Sequence, residues 1–541
     1  MLSYDMGERG NASRYDYLYR CIRHDIAHGN ILPDEKLPSK RALARNLGVS
    51  VITVEAAYAQ LIAEGYVRAE ERRGYFACEL SPVARGGQRS GQRDGQRGGQ
   101  RDRRHDGKRD GWRGGDHLRG NAAPDSIPEN AIRPLSPASA GMTQFPVASP
   151  ERRLVLPGTS ARMAEGFPTF VPEGGLATPA SSSGSAATAL FPYQTWARVM
   201  RRTLTEESSA TLAEAALAAG SPRLRQAIAS YLREYRGMDV PAERIVVAAG
   251  SQTLYQLIIQ LLGRDRAFAI ESPGYPLLER MYDAQGARCA SVPLAAGGID
   301  VAALSESGAS VAHVMPAHQF PTGVVMPAAH RRDLLNWSRM DAARAFSSDG
   351  PRGRFIIEDD YDAEFRMSGR PIAPLASVDV AGRVIYLNSF TKSLGAAFRI
   401  AYMALPEDLA AQFELKLGFY SNTVSPLEQL ALARFIEQGH YERHVNRLRT
   451  HVKRLQDGLV GRVHESSLAK EVAFEGLDRG LYFLMRVRKG TQDRAVGALQ
   501  AAGVQLAFLG RGPLAWSGAQ SGESVFALNC ESLNIEELVL P

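Results

Sequence analysis

The sequence predicts a multidomain chain: a small helical N-terminal domain with a β wing, a disordered Arg/Gly/Gln-rich linker, and a large C-terminal α/β domain. Three observations predict it. Residues 8–80 carry two serine-capped apolar periodicities, residues 81–150 are low in complexity, and from 151 to 541 short apolar runs alternate with helical stretches. The last pattern requires a parallel sheet covered by helices. At 541 residues the chain also exceeds one ordinary domain.

Composition excludes several classes. A 44% hydrophobic content can fill substantial cores, yet no apolar run approaches the roughly 18 residues of a membrane span. The start, Met1 to Glu8, lacks the apolar core of a secretory signal. Cys21, Cys78, Cys289 and Cys530 lie far apart without a Cys-x-x-Cys pair, so neither a metal site nor a disulfide framework is expected. A reduced cytoplasmic protein with no membrane partner is the simplest expectation.

In the N-terminal domain Tyr17 to Ala27 has helical periodicity, with Leu18, Cys21, Ile22 and Ile26 on one side. Ser39 caps a helix with Leu43 and Leu47 inward; Gly48 ends it, and Ser50 caps another running through Val54, Ala57, Tyr58 and Leu61 to Gly65. Two helices joined by a glycine turn form a helix-turn-helix, the Ser50 helix being the reader. Tyr66-Val67-Arg68 and Gly74-Tyr75-Phe76-Ala77 flank a polar turn of Glu70, Glu71, Arg72 and Arg73, a two-stranded wing. Bulk charge is silent here: residues 1–80 hold eleven cationic and eleven acidic side chains.

The formal excess of +6 lies in the linker, where residues 85–119 hold ten Arg and one Lys against five Asp. Such a segment buries too little apolar surface to offset its chain entropy and reads as a solvated tether. Its Arg-Gly content suits weak, nonspecific association with phosphate backbones. The Ser/Ala-rich piece 177–189 reads as a surface insertion.

In the C-terminal domain Ile245 to Ala249, Phe268 to Ile270, Ala312 to Met315, Phe355 to Ile357 and Val384 to Leu387 are buried-strand candidates. Lys392 stands out, with Ser389 three residues before it, Thr391 adjacent and Arg399 seven residues after it. An amine can condense with an aldehyde while hydroxyls and a guanidinium hold a phosphate, and pyridoxal 5'-phosphate carries both groups. Glu358-Asp359-Asp360-Tyr361 follows a strand, where a carboxylate can pair with a protonated pyridine nitrogen and a tyrosine can bond a phenolic oxygen. Gly250-Ser251-Gln252 opens a helix after another strand and offers free backbone N–H groups to a phosphate. Tyr275 could lie against the ring.

The run Leu37-Pro38-Ser39-Lys40-Arg41-Ala42-Leu43-Ala44, with Val49-Ser50, Thr53-Val54 and Leu61-Ile62-Ala63-Glu64-Gly65-Tyr66, resembles the winged helix of the GntR superfamily over about sixty residues. The resemblance implies that Lys40 and Arg41 hold phosphates, while the start of the reader, Ser50, Val51 and Thr53, faces base edges and the wing cations Arg72 and Arg73 assist. Many members have arginine where this chain has Val51, and an apolar contact, to a thymine methyl for example, could replace a guanine-type contact there.

The C-terminal motifs, in their order, resemble fold-type I pyridoxal-phosphate enzymes, the aspartate-aminotransferase-like superfamily. The whole chain resembles the MocR-type, GabR-like subfamily of GntR regulators. Lys392 is then implied as the cofactor's anchor, Asp359 as the partner of the pyridine nitrogen and Tyr361 of the phenolic oxygen. Ser389, Arg399 and the amides of Gly250, Ser251 and Gln252 are implied to hold the phosphate, with Tyr275 against the ring. His440 and His444 read as one face of an amphipathic helix. A homodimer is expected by the same resemblance.

Three positions depart from the family. Phe320 replaces the asparagine of the Asn-Pro-x-Gly loop, Leu277 stands where the GABA-responsive member has arginine, and Ala527 falls where the superfamily grips an α-carboxylate with a bidentate arginine. Arg511 is a candidate substitute. Losing that grip removes roughly 1.5–3 kcal/mol of charge-assisted bonding and favours a sensor over a catalyst. The expected function is a pyridoxal-phosphate-dependent regulator that binds a double-stranded DNA operator and senses a small molecule, the cofactor itself or an amino compound. No catalytic residue is assigned. The alternative is a working aminotransferase with an accessory DNA-binding domain.

Overall fold

The computed structural model describes residues 4, 6, 13–70, 73–79, 186–213, 217–340, 346–347, 350–351, 353–367, 372–501, 504–529 and 540. The expected tether, residues 81–150, lies outside them, as do Arg72 and positions 177–185.

The N-terminal domain is three helices and a small sheet. Ser13, Ser39 and Ser50 each cap a helix by accepting an N–H from the residue three positions on, giving Arg14–His28, Lys40–Leu47 and Val51–Ala63. Gly48 ends the second helix at φ 62°, a left-handed turn that glycine makes without strain. Leu18, Ile22, Leu43, Val54, Ala57, Tyr58 and Leu61 are fully buried together. Cys21 is only partly buried; Tyr19 takes the inward place beside Ile22. The wing has three strands rather than two, because Lys36–Leu37 pairs with the outer face of Gly74–Ala77, which also pairs with Val67–Glu70. The carbonyl of Glu64 accepts from the N–H of Ala328 at 2.8 Å, joining the reader's end to the start of helix Ala328–Arg339.

The large domain is built on one eight-stranded sheet. Its order is Ile245–Ala248, Ala401–Ala404, Val384–Ser389, Phe355–Asp359, Val311–Val314, Ala267–Ser272, Arg288–Ala295, Gly298–Ile299. All five strand candidates are present, but the sheet is not wholly parallel. Ala401–Ala404 runs antiparallel between Val384–Ser389 and Ile245–Ala248. Arg288–Ala295 escaped the sequence because its polar, alternating pattern suits a sheet margin rather than a buried run. Clusters around Ile258, Phe268 and Met403 on one side, and around Ile228, Tyr402 and Phe435 on the other, bury both faces. A second, antiparallel sheet of Val472–Glu475, Tyr482–Val487, Ser524–Asn529 and Gln505–Arg511 packs on the long helix His440–Glu465.

The Ser/Ala-rich stretch is corrected at its end. Ala186–Leu190 is a short helix, and a Cβ on Gly395 would come within 3.3 Å of the Thr188 hydroxyl. Thr188 therefore lies against the segment that follows Lys392, whereas Ala189 is exposed.

Candidate functional site

Strand register assembles the site. Asp359 is level with Leu387, and Ser389, two residues further along that strand, is level with Ala401, which is level with Ala248. Strands lie about 4.8 Å apart, so Asp359, Ser389 and the Ala248–Gly250 turn share one end of the sheet. The Lys392 segment, Thr391–Leu394, begins there.

Asp359 and Asp360 are adjacent but point apart, since successive side chains in extended chain alternate faces. Oδ2 of Asp359 accepts from the Tyr255 hydroxyl at 2.6 Å and lies 3.5 Å from His313 Nε2, whose Nδ1 is 2.8 Å from the Tyr282 hydroxyl. Asp360 instead forms a buried ion pair with Arg236 and accepts from Tyr386 at 2.8 Å. Burial opposes the Arg236 charge, but Asp360 and Tyr386 outweigh it and raise the guanidinium's pKa. Asp360 is thus occupied by Arg236, and Asp359 is the carboxylate at the strand end level with Leu387, on the side of Tyr255.

The candidate phosphate site lies at the start of the helix Ser251–Leu262. Its N-cap, Gly250, has φ 85° and ψ 165°, and a Cβ there would sit 2.4 Å from Arg399 Nη2. The guanidinium therefore lies directly against the glycine, beside the first-turn N–H groups of Ser251 and Gln252, which have no partner within a helix. Arg399 itself is held at φ 43°, unusual for a side-chain-bearing residue. The Ser389 hydroxyl donates to Thr391 Oγ1 at 2.8 Å and accepts from the Thr391 N–H at 3.1 Å, which holds it at the start of the Lys392 segment. The Ala249 N–H donates to Thr423 at 2.9 Å.

Lys392 Nζ lies 3.5 Å from the Tyr482 hydroxyl and 5.4 Å from that ring's centroid. Tyr275, Phe320, Tyr361 and Tyr482 form an aromatic wall, with Phe320 edge-on to Tyr482 at 4.9 Å and to Tyr275 at 6.0 Å. Burial, with the Asp359 charge, raises the Tyr275 phenol against the opposing charges of Lys392 and Arg399. The Tyr361 hydroxyl is 3.3 Å from His318 Nδ1, and His318 is locked by Asp362 at 2.6 Å and the Tyr482 carbonyl at 3.0 Å. An aldehyde bearing a phosphate and a basic ring fits this set of donors: an amine, a carboxylate, a phenol, and a glycine–guanidinium cradle.

Several contributors were not legible in the sequence. Tyr482 comes from a strand 90 residues beyond Lys392 and reaches it only through the second sheet's packing. His444 is buried, with Nε2 2.7 Å from the Ser393 carbonyl, so it braces the lysine segment rather than merely lining a helix face. Glu271, at the end of strand Ala267–Ser272, is buried and accepts from the Met315 N–H and from Gln319, each at 3.2 Å. Burial pushes its carboxyl up to about 8.

The carboxylate grip is missing at its expected place. Ala527 is buried between Leu484 and Ala507. Arg511 does not replace it: it pairs with Ser524, at the opposite end of that strand from Asn529, and Asn529 is the residue level with Tyr482.

In the N-terminal domain Ser50 Oγ accepts from the Thr53 N–H at 3.1 Å and lies 2.8 Å from the Thr53 hydroxyl. Val51 begins the reader and is exposed. Arg41 and Arg45 are exposed on the preceding helix, whereas Lys40 reaches Glu55 on the reader at 2.5 Å and Arg73 pairs with Glu70.

Comparison with known proteins accords with this division. A family model described as aminotransferase class I and II matches residues 186–507, and one described as bacterial regulatory proteins, gntR family, matches 14–76. The chain is 29% identical over 502 residues to the HTH-type transcriptional regulator YhdI of Bacillus subtilis, covering 93% of this chain and 89% of that protein. It is 28% identical over 497 residues to the probable rhizopine catabolism regulatory protein MocR of Rhizobium meliloti, covering 91% and 86%. An archaeal alanine:glyoxylate aminotransferase shares the fold at TM-score 0.52 and 22% identity, over 66% of this chain and 86% of that one. The chain belongs to the aminotransferase class I and II family and, carrying a GntR-type helix-turn-helix domain ahead of it, is a transcriptional regulator of the MocR type.

Proposed function

We propose that this regulator is a cytoplasmic homodimer that binds pyridoxal 5'-phosphate at Lys392 and an operator duplex through residues 13–79. Its aminotransferase-like domain then senses a small molecule, either the cofactor itself or an amino compound. One observation carries the reading: Asp359, Ser389, the Gly250–Arg399 pair and the Lys392 segment share one sheet end, on a chain whose other end is a capped reader helix. When bound, pyridoxal phosphate supplies an aldehyde that an amine can hold and a ring that withdraws electrons.

The residues divide the work. Lys392 would hold the aldehyde carbon, Asp359 the ring nitrogen and Tyr361 the phenolic oxygen, with Tyr275 against the ring. Arg399, Ser389 and the amides of Gly250, Ser251 and Gln252 would hold the phosphate. Tyr255 donates to Asp359 and would hold that carboxylate in place for the ring nitrogen. In the reader, Ser50, Val51 and Thr53 face the bases, while Lys40, Arg41, Arg72 and Arg73 serve the phosphates.

The buried alanine at 527 favours a sensor over the alternative, a working aminotransferase. Absorbance titration with pyridoxal phosphate tests the anchor: Lys392→Ala should abolish the band of the lysine-bound cofactor, and its persistence would refute the assignment. DNA binding measured with and without pyridoxal phosphate tests the switch. Multiple turnovers with a panel of amino donors and keto acids would establish the enzymatic alternative instead.

A further inference from the structure

The outward face of the reader helix is unusual for a surface meant to meet a polyanion. Its exposed positions are Val51, Ile52, Glu55, Ala59 and Ile62, which carry no cation. Ile52 is 76% exposed and Val51 42% exposed, although the domain's core could have absorbed aliphatic residues at neighbouring positions such as Val54, which is wholly buried. The single acid, Glu55, is drawn to Lys40 at 2.5 Å. The exposed cations lie on the neighbouring elements instead, Arg41 and Arg45 on the preceding helix and Arg73 in the wing.

The placement of the two aliphatic side chains is fixed. The Ser50 cap and its contact with the Thr53 hydroxyl hold the first turn, so Val51 and Ile52 project from the helix N-terminus. That turn is the part of a helix-turn-helix reader that meets base edges. In the major groove the one apolar feature of any base pair is the thymine C5-methyl group.

On the reading that this domain binds DNA, we propose that Val51 and Ile52 select the operator by contact with thymine methyl groups. Phosphate contacts from the flanking cations then supply affinity, while sequence discrimination is apolar. The face does not offer a guanine the bidentate donor that an arginine or lysine would provide.

The test uses the full-length protein. A preferred duplex is selected from a random library, and each thymine in it is replaced in turn by deoxyuridine, which lacks only the methyl group. At least one replacement per half-site should weaken binding about four-fold, the factor expected for one buried methyl. The double variant Val51→Ala, Ile52→Ala should bind thymine and uracil duplexes equally, while Ile52→Val keeps the discrimination. Thermal melting of the double variant, whose substituted side chains are exposed, separates loss of readout from loss of fold. Equal affinity of the unaltered protein for thymine and uracil at every position would overturn the inference while leaving DNA binding intact. Enrichment of no duplex would overturn the DNA-binding reading itself. A change in oligomeric state on Ile52→Ala, with no thymine preference, would assign the patch to a second copy of the chain and overturn the inference too.

Discussion

The Tyr255 hydroxyl donates to Asp359 at 2.6 Å, whereas the next carboxylate, Asp360, pairs with Arg236 on the opposite face of the sheet. Identical side chains on consecutive residues thus have different roles, and their substitutions should separate. Asp359→Asn should weaken pyridoxal phosphate binding by at least ten-fold with little change in stability. Asp360→Asn leaves Arg236 buried without its counter-charge, which costs roughly 3–5 kcal/mol. Cofactor titration and urea unfolding midpoints distinguish the two; equal effects in both assays would remove the distinction.

Gly250 has a backbone conformation that a side chain does not tolerate, φ 85° and ψ 165°. Its missing Cβ is also the space that Arg399 occupies. Gly250→Ala should destabilise the domain by roughly 1–3 kcal/mol and displace the guanidinium. Affinity for inorganic phosphate and for pyridoxal phosphate should fall together, which equilibrium titration of the variant measures.

Stability should depend on pH through Glu271, whose carboxyl burial raises from 4.5 to about 8. The folded state binds the proton more tightly than the unfolded chain. Its contribution is therefore complete below about pH 4.5 and is lost as pH rises through about 8. Glu358 and Glu364, each pushed up to about 7 by burial, add to the same slope. Glu271→Gln should flatten the fall in melting temperature between pH 5 and 8 without abolishing it. An unchanged slope would show that Glu271 is ionised when folded.

The linker should act by charge alone. Deleting residues 85–119, which carry a net +6, should preserve binding to the preferred duplex while weakening binding to unrelated DNA. The salt dependence of the nonspecific component should become shallower. Loss of the sequence preference itself would show that the tether takes part in recognition.

Much of both sites was legible because it rests on local chemistry. A serine before an apolar periodicity caps a helix wherever the helix packs, so Ser39 and Ser50 marked the reader. Gly250 after a strand and before a helix, and Lys392 between Ser389 and Arg399, carry their meaning in spacing. Tyr482, His444 and Glu271 have no such signature. Each acts on the site from an element distant in the chain, at positions where a tyrosine, histidine or glutamate is ordinarily just a strand or helix residue. The wing's third strand was hidden for a different reason: two residues, Lys36–Leu37, are too short to show a period.

The sequence by itself determined the domain order and the serine-capped helix-turn-helix, and it marked Lys392 as a candidate anchor and Ala527 as a departure from the family. These depend on residue type, on helix and strand periods, and on caps a few positions away. Tertiary structure alone decided that Asp360 is taken up by Arg236 while Asp359 meets Tyr255, and that Arg511 lies at the far end of its strand from Asn529. It also decided that Thr188 lies against Gly395. The first depends on which face of the sheet each side chain meets, which a one-residue shift in register would reverse; the others depend on distance along a strand and on how a helix packs, neither of which residue type encodes.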